Sequence, residues 1–230
     1  MKFMSFNTQH CLNYLERKID FQLMADTILK FDPNIVGLNE MRGEGTDPEY
    51  TAQTERLSEL TGMKYYYFAK AIDVGGSNPY GNAILSKKPI ISAQTVIIPD
   101  PVDVCGETRC VLKATFEDGV TVLVSHFGLN HAERVNAVKT VLDLMPNEKG
   151  VLMGDFNASP DDPVLDPLRE RLVDTADSFD EPKLSFVSTE PTVKIDYIFV
   201  TPDVKVVSAD IPNVVASDHR PHIAELEFSK

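Results

Sequence analysis

Apolar positions along the chain fall into short runs that alternate with helically spaced stretches. "KFMSFN" (2–7) and "NIVGLNE" (34–40) read as short buried strands. Between them "IDFQLMADTILKF" (19–31) sets Ile19, Leu23, Met24, Thr27, Ile28 and Phe31 at helical spacing, and Asp32-Pro33 ends the helix. The unit predicted is β-α-β. A second helix is expected over 51–61, stopped by Gly62. The middle of the chain is β-rich: "KYYYFAKA", "NAILSKKPI", "SAQTVII" and "CVLKATF", with Glu117-Asp118-Gly119 as a tight hairpin turn into "VTVLVSHF". A helix over 131–145 places Val135, Val138, Val141, Leu142 and Met145 on one face, and the strand "VLM" follows. After a short helical segment near 163–171 come "KIDYIFV", "VKVVSA" and "HIAELEF". "VGGSNPYG" (74–81) and "PDPVDVCGE" (99–107) read as loops. Hairpin-joined strands favour antiparallel or mixed sheets with helices outside. The expected architecture is one α/β domain over 1–230, two stacked sheets covered by helices.

The hydrophobic share of 43% and charged share of 25% are those of a soluble globular chain with a sizeable core. A formal charge of -13, from 35 acidic and 22 basic residues, repels nucleic acid and anionic membranes at long range. The N-terminus turns polar too early for a signal peptide and no apolar run approaches a membrane span, so a cytoplasmic location is the expectation; a monomer is expected as a separate default. Cys11, Cys105 and Cys110 are an odd set and suggest no disulfide framework, although Cys105 and Cys110 could close a small loop.

Polar residues end the predicted core strands. Asn7 ends the first, Glu40 the second, His126 the strand after the hairpin, and Asp155 with Asn157 the next. Asp196 interrupts "KIDYIFV", and "SDHRP" (217–221) precedes the last strand. Residues i and i+2 of an extended chain share a face, so Asp155 and Asn157 should project together. An Asx turn closing the strand is the plainer alternative. The others have plain alternatives too. Asn7 could cap a turn, Glu40 could be a solvated strand end, and His126 a hydrogen-bonded core histidine. Asp196 could pair with Lys194, and Asp218 with Arg220. If the strand ends meet at one edge, their clustered carboxylates would cost several kcal/mol without a cation. A hard ion such as Mg²⁺ relieves that cost with oxygen ligands, while the scattered histidines and cysteines disfavour zinc.

"FMSFN", "GLNE", "GDFN", "IDYIFV" and "SDHRP", in that order, make the sequence resemble the endonuclease/exonuclease/phosphatase superfamily, and "YGNAILSKKPI" and "SHFGLNHAER" look like its small bacterial members. That superfamily includes deoxyribonucleases, abasic-site endonucleases, sphingomyelinases, deadenylases and inositol polyphosphate 5-phosphatases. The resemblance implies a four-layered α/β sandwich and a phosphoester hydrolase dependent on Mg²⁺ or Mn²⁺. It implies that Glu40 is the principal metal-ligand carboxylate, with Asn7 beside it and Asp218 near the metal. Asp155 then resembles the residue that orients or deprotonates water, and Asn157 the amide that helps hold the phosphate. His219 resembles the histidine that contacts the phosphoryl group, oriented by Asp196. His126 is similar to a second phosphate-facing histidine, and Arg109 to a phosphate-binding arginine of some members.

The substrate is a separate matter. Phosphate-backbone binding needs several Lys or Arg contacts. The loops expected around the site (41–50, 72–81, 99–108, 177–192) hold Arg42, Lys183 and little other positive charge, leaving Arg109, Arg134 and Arg220. A small or single-headed phosphoester is therefore expected, with a DNA or RNA nuclease as the alternative and a non-catalytic binding protein a more distant one.

Overall fold

The structure is a computed structural model that describes residues 1–102 and 106–229. In chain order its strands are β1 (Lys2–Asn7), β2 (Leu12–Asn13), β3 (Lys18–Ile19), β4 (Ile35–Arg42), β5 (Tyr65–Val74), β6 (Asn78–Ser86) and β7 (Ile90–Ile97). They continue with β8 (Cys110–Phe116), β9 (Thr121–His126), β10 (Gly150–Asp155), β11 (Val173–Asp174), β12 (Asp196–Val200), β13 (Lys205–Asp210) and β14 (His222–Glu227). The helices are α1 (Phe21–Phe31), α2 (Gln53–Thr61), α3 (His131–Leu144) and the single turn α4 (Asp166–Arg169). One six-stranded sheet runs β13-β14-β1-β4-β6-β5 and the other β11-β12-β10-β9-β8-β7.

Each sheet holds one parallel pair with a helical crossover between its strands. β1 pairs with β4 through α1, and β9 with β10 through α3. The caps explain where those helices begin and end. The Asp20 carboxylate accepts from the Leu23 amide at the start of α1, and Asp32 takes the left-handed conformation at its end, ahead of Pro33. Asn130 and Glu133 form a reciprocal capping box on α3.

Three apolar clusters define four layers. Between the sheets lie Phe3, Ile35, Ile84, Leu112, Val124, Met153 and Ile198. Met4, Phe6, Val36 and Leu38 face α1 and α2, where Met24, Ile28 and Leu57 meet them. Leu123, Phe127, Phe156, Tyr197 and Phe199 face α3 and α4, against Val138, Val141 and Leu168. The sheets approach closely at Gly37, where a Cβ would stand 2.8 Å from Met153 Sδ. The expected α/β sandwich is what the chain builds.

Several local expectations need correction. Ile19 lies in β3, before α1 begins. Val135 is exposed, because Glu133, Ala137, Val138 and Val141 form the buried face of α3. "VGGSNPYG" is not a loop but a hairpin tip: β5 runs to Val74 and β6 starts at Asn78, with only 75–77 between them. Cys105 lies outside the described residues, and so does the question of its pairing with Cys110. No helix among the described residues is long and apolar enough to cross a membrane.

Candidate active site

Register brings the polar strand ends together. In the first sheet Asn7 of β1 is level with Asn39 of β4. In the second, Asp155 of β10 is level with both His126 of β9 and Asp196 of β12. A β-bulge in β4, with a register shift between Leu38 and Met41, puts Glu40 at φ 61° and breaks the in-out alternation there. Bulges of this kind re-aim a side chain, and Glu40 meets Asn7: its Oε1 accepts from Asn7 Nδ2 at 3.1 Å. The same amide nitrogen donates to Asp155 Oδ2 at 3.0 Å and so joins the two sheets.

Asp155 and Asn157 do converge, but not as i and i+2 of a strand. β10 ends at Asp155, Asn157 has φ 48°, and its backbone N–H donates to Asp155 Oδ1 at 2.9 Å. The Asx turn offered as the plain alternative is therefore present, and it leaves Oδ2 for the cluster. Phe156 points the other way and stacks on Phe127, with centroids 4.2 Å apart and planes 8° from parallel, which pins the turn to the helix-side core. Gly154 is required by close approach: its φ is 150° and a Cβ would lie 1.8 Å from Ser125 O.

Asp155 Oδ2 also lies 3.4 Å from His126 Nε2 and 3.6 Å from His219 Nε2. His219 Nδ1 is 2.8 Å from Asp196 Oδ2, whereas Lys194 pairs with Asp174 at 3.2 Å, so the suggested Asp196–Lys194 pair does not form. Asp218 is not partnered by Arg220, whose Nε donates to Ser188 O; Asp218 Oδ1 accepts from Ser217 Oγ and shares no hydrogen bond with Asn7 or Glu40. Arg109 Nη1 lies 3.0 Å from His126 Nδ1 and 2.8 Å from Glu107 Oε1. Asn157 Nδ2 donates to Phe127 O at 3.0 Å and stands 3.1 Å from His126 Nε2.

The electrostatics set the two histidines apart. Burial alone would lower His219, but Asp196, Asp155 and Asp218 outweigh it and raise the ring to about 10. His126 lies well below the ordinary range, through burial first and then the charges of Arg109 and His219. Burial pushes Asp155 up to about 7, with the charge of His219 opposing and Asp196 adding. Glu107 is raised by burial, against the pull of Arg109.

Sequence reasoning missed the buried amides behind this edge. Asn39 Oδ1 accepts from the Asp155 backbone N–H at 3.0 Å, and its Nδ2 donates to Asn82 Oδ1 at 2.8 Å and Ser125 O at 3.1 Å. Their signal was available as two amides inside apolar strands, in "GLNE" and "GNAIL". Ser185, whose hydroxyl accepts from the amides of Ile195 and Asp196, left no signal at all.

The donor chemistry here suits a hard cation. Glu40 has no ion-pair partner among the described residues, two carboxylates share the Asn7 amide, and Asp196 Oδ1 is buried without a partner. Asn7 nevertheless turns its nitrogen toward the carboxylates, its Oδ1 accepting from Gln9 N at 3.0 Å. No three His, Cys, Asp or Glu side chains among the described residues are already gathered as a metal site.

A sequence model described as the Endonuclease/Exonuclease/phosphatase family matches residues 4–219. No curated protein matches the chain. Among solved structures, an endonuclease/exonuclease/phosphatase from Beutenbergia cavernae is 22% identical with a TM-score of 0.85, covering 99% of this chain and 71% of that one. The Bacteroides thetaiotaomicron mannosyl-6-phosphatase is 17% identical with a TM-score of 0.78, over 99% and 100% of the two chains. The human nocturnin catalytic domain, with bound sulfate anion, is 16% identical with a TM-score of 0.70, over 100% and 94%. At these identities the likeness is one of fold.

Proposed function

Since this chain belongs to the endonuclease/exonuclease/phosphatase family, whose members are phosphoesterases and nucleases, we propose that it hydrolyses a small or single-headed phosphoester with the help of Mg²⁺ or Mn²⁺. The observation that carries the reading is the shared position of one carboxylate oxygen. Asp155 Oδ2 stands within 3.6 Å of Asn7, His126 and His219, and Asp196 backs His219.

In this reading Asp155 orients the attacking water and takes its proton, a role suited to a group titrating close to neutral pH. His219, held as imidazolium, neutralises a phosphoryl oxygen as negative charge grows. Asn157 and His126 hold further phosphoryl oxygens. Glu40 would hold the cation, with Asn7 and Asp218 as further donors once the Asn7 amide turns its oxygen inward. A divalent ion bound there supplies charge neutralisation and lowers the pKa of bound water.

The limit on substrate size follows from the basic residues expected near the site, of which all but Arg220, whose Nε donates to Ser188 O, already hold an ion pair. Arg42 pairs with Glu49 and covers the Tyr50 ring, Arg109 pairs with Glu107, and Arg134 pairs with Asp162. Lys183 pairs with Asp210. A duplex-binding surface needs such groups free at phosphate spacing.

The test compares aryl phosphomonoesters and phosphodiesters with duplex DNA, at low and moderate salt, with and without Mg²⁺. The small esters should be turned over with the higher kcat/KM and weak salt dependence, and chelation should abolish the activity. Efficient, strongly salt-sensitive cleavage of duplex DNA would return the protein to the nuclease branch.

A further inference from the structure

Two histidines flank Asp155 Oδ2, and the partner on each Nδ1 is of opposite charge: Asp196 for His219, Arg109 for His126. A guanidinium has only donors. With Arg109 Nη1 at 3.0 Å, His126 Nδ1 must present its lone pair, so the neutral ring carries its proton on Nε2. On that side stand Asn157 Nδ2 at 3.1 Å and Asp155 Oδ2 at 3.4 Å. The two nitrogen contacts cannot both be hydrogen bonds to one neutral imidazole, since each would need a lone pair on a different ring nitrogen. Arg109 Nη1 and Asn157 Nδ2 can both only donate, and each has another acceptor, Glu107 Oε1 and Phe127 O, so what separates them is the acceptor that stands beside Nε2. A carboxylate beside Nε2 also favours a proton there. Arg109 on Nδ1 and the Asp155 carboxylate beside Nε2 together select the Nε2-protonated tautomer.

We propose that Arg109 is a positioning residue that holds His126 protonated on Nε2, so that this ring offers a hydrogen-bond donor beside Asp155 and cannot act there as a base. Arg109 is itself held in place, since its side chain is 12% exposed and Glu107 Oε1 binds the same Nη1 at 2.8 Å. The pair His219 and His126 then presents one cationic and one neutral donor to the same oxygen-rich edge. That second donor would serve a phosphoryl oxygen, which rests on the function proposed above; the tautomer itself does not. Arg109 would act through His126 instead of by gripping a substrate phosphate, the role its resemblance to family arginines implied.

Nitrogen-15 NMR of histidine-labelled full-length protein reads the tautomer directly, with the His126 signals assigned by their loss in His126→Gln. Wild type should show an unprotonated Nδ1 and a protonated Nε2, with and without Mg²⁺. Arg109→Met should shift His126 toward the Nδ1-protonated form or a mixture, and Arg109→Lys, which keeps a donor, should restore the wild-type pattern. A wild-type ring protonated on Nδ1, or a tautomer unchanged in Arg109→Met, overturns the proposal. Kinetics give a second reading on whichever phosphoester is turned over. Arg109→Met should lower kcat by roughly 10-fold when His126 is present and by less than about 2-fold in a His126→Ala background. An equal rise in KM in both backgrounds would mean direct phosphate contact and would also overturn it. Because NMR needs no turnover, a protein inactive on every phosphoester would count against the functional reading alone.

Discussion

The backbone N–H of Asp155, at the end of β10 in one sheet, donates to the side-chain oxygen of Asn39, on β4 in the other, at 3.0 Å. This bond ties the two sheets together directly beneath the candidate catalytic carboxylate. Asn39 is fully buried and spends its nitrogen on Asn82 and Ser125. Replacing it by Leu would leave the Asp155 amide, Asn82 Oδ1 and Ser125 O without this partner. Each buried orphan costs about 1–3 kcal/mol. Asn39→Leu should therefore lower unfolding stability by on the order of 3 kcal/mol or more in a urea titration. A change below about 1 kcal/mol would show that water replaces the amide there.

Asp196→Asn should cut kcat by roughly 10²-fold or more while leaving the fold intact, because His219 loses the anion on its Nδ1. Asp155→Asn and His219→Ala should reach a similar scale. Steady-state kinetics with circular dichroism as the folding control checks all three. Near-wild-type turnover in any of them removes that residue from its role.

Glu40→Gln should raise the melting temperature of the metal-free protein and weaken binding of Mg²⁺ or Mn²⁺. Glu40 and Asp155 share one amide, and Glu40 has no cation beside it among the described residues, so one charge fewer relieves repulsion. Calorimetry with and without metal measures both effects. A lower metal-free melting temperature would assign Glu40 a structural role.

Acid should destabilise the metal-free protein partly through His222. This ring is fully buried, with Nε2 3.0 Å from the Thr175 hydroxyl and Nδ1 3.2 Å from Asp196 O. Burial, and then the charge of Lys194, lower it from 6.5 to about 4. Between those values the unfolded chain binds a proton that the folded chain refuses, so stability falls as pH drops from about 6.5 to about 4. His10, also lowered to about 4, acts in the same direction. His222→Gln should make the decline with pH shallower, as read by melting temperature in chelator. A slope identical to wild type would mean that His222 does not titrate in this window.

Much of this protein was legible in its sequence, because the relevant signals are local. Short apolar runs located β1, β4 and the central strands, helical spacing located α1, and Gly62 marked the end of α2 with a left-handed φ of 68°. The motif residues announced themselves as polar groups that end apolar runs, a position a core strand does not tolerate without reason.

Tertiary structure alone decided what depends on register and on the second sheet. Asn7 and Glu40 belong to one sheet, and His126, Asp155 and Asp196 to the other; only the stacking of the two brings Asn7 Nδ2 onto Asp155 Oδ2. The left-handed backbone of Glu40 and Asn157, the choice of Asp174 over Asp196 as partner for Lys194, and the exposure of Val135 could not be read from spacing. Local pattern says which face of its own strand or helix a residue occupies. Which group stands opposite it is settled by long-range pairing, where one residue of slip turns every side chain to the other face.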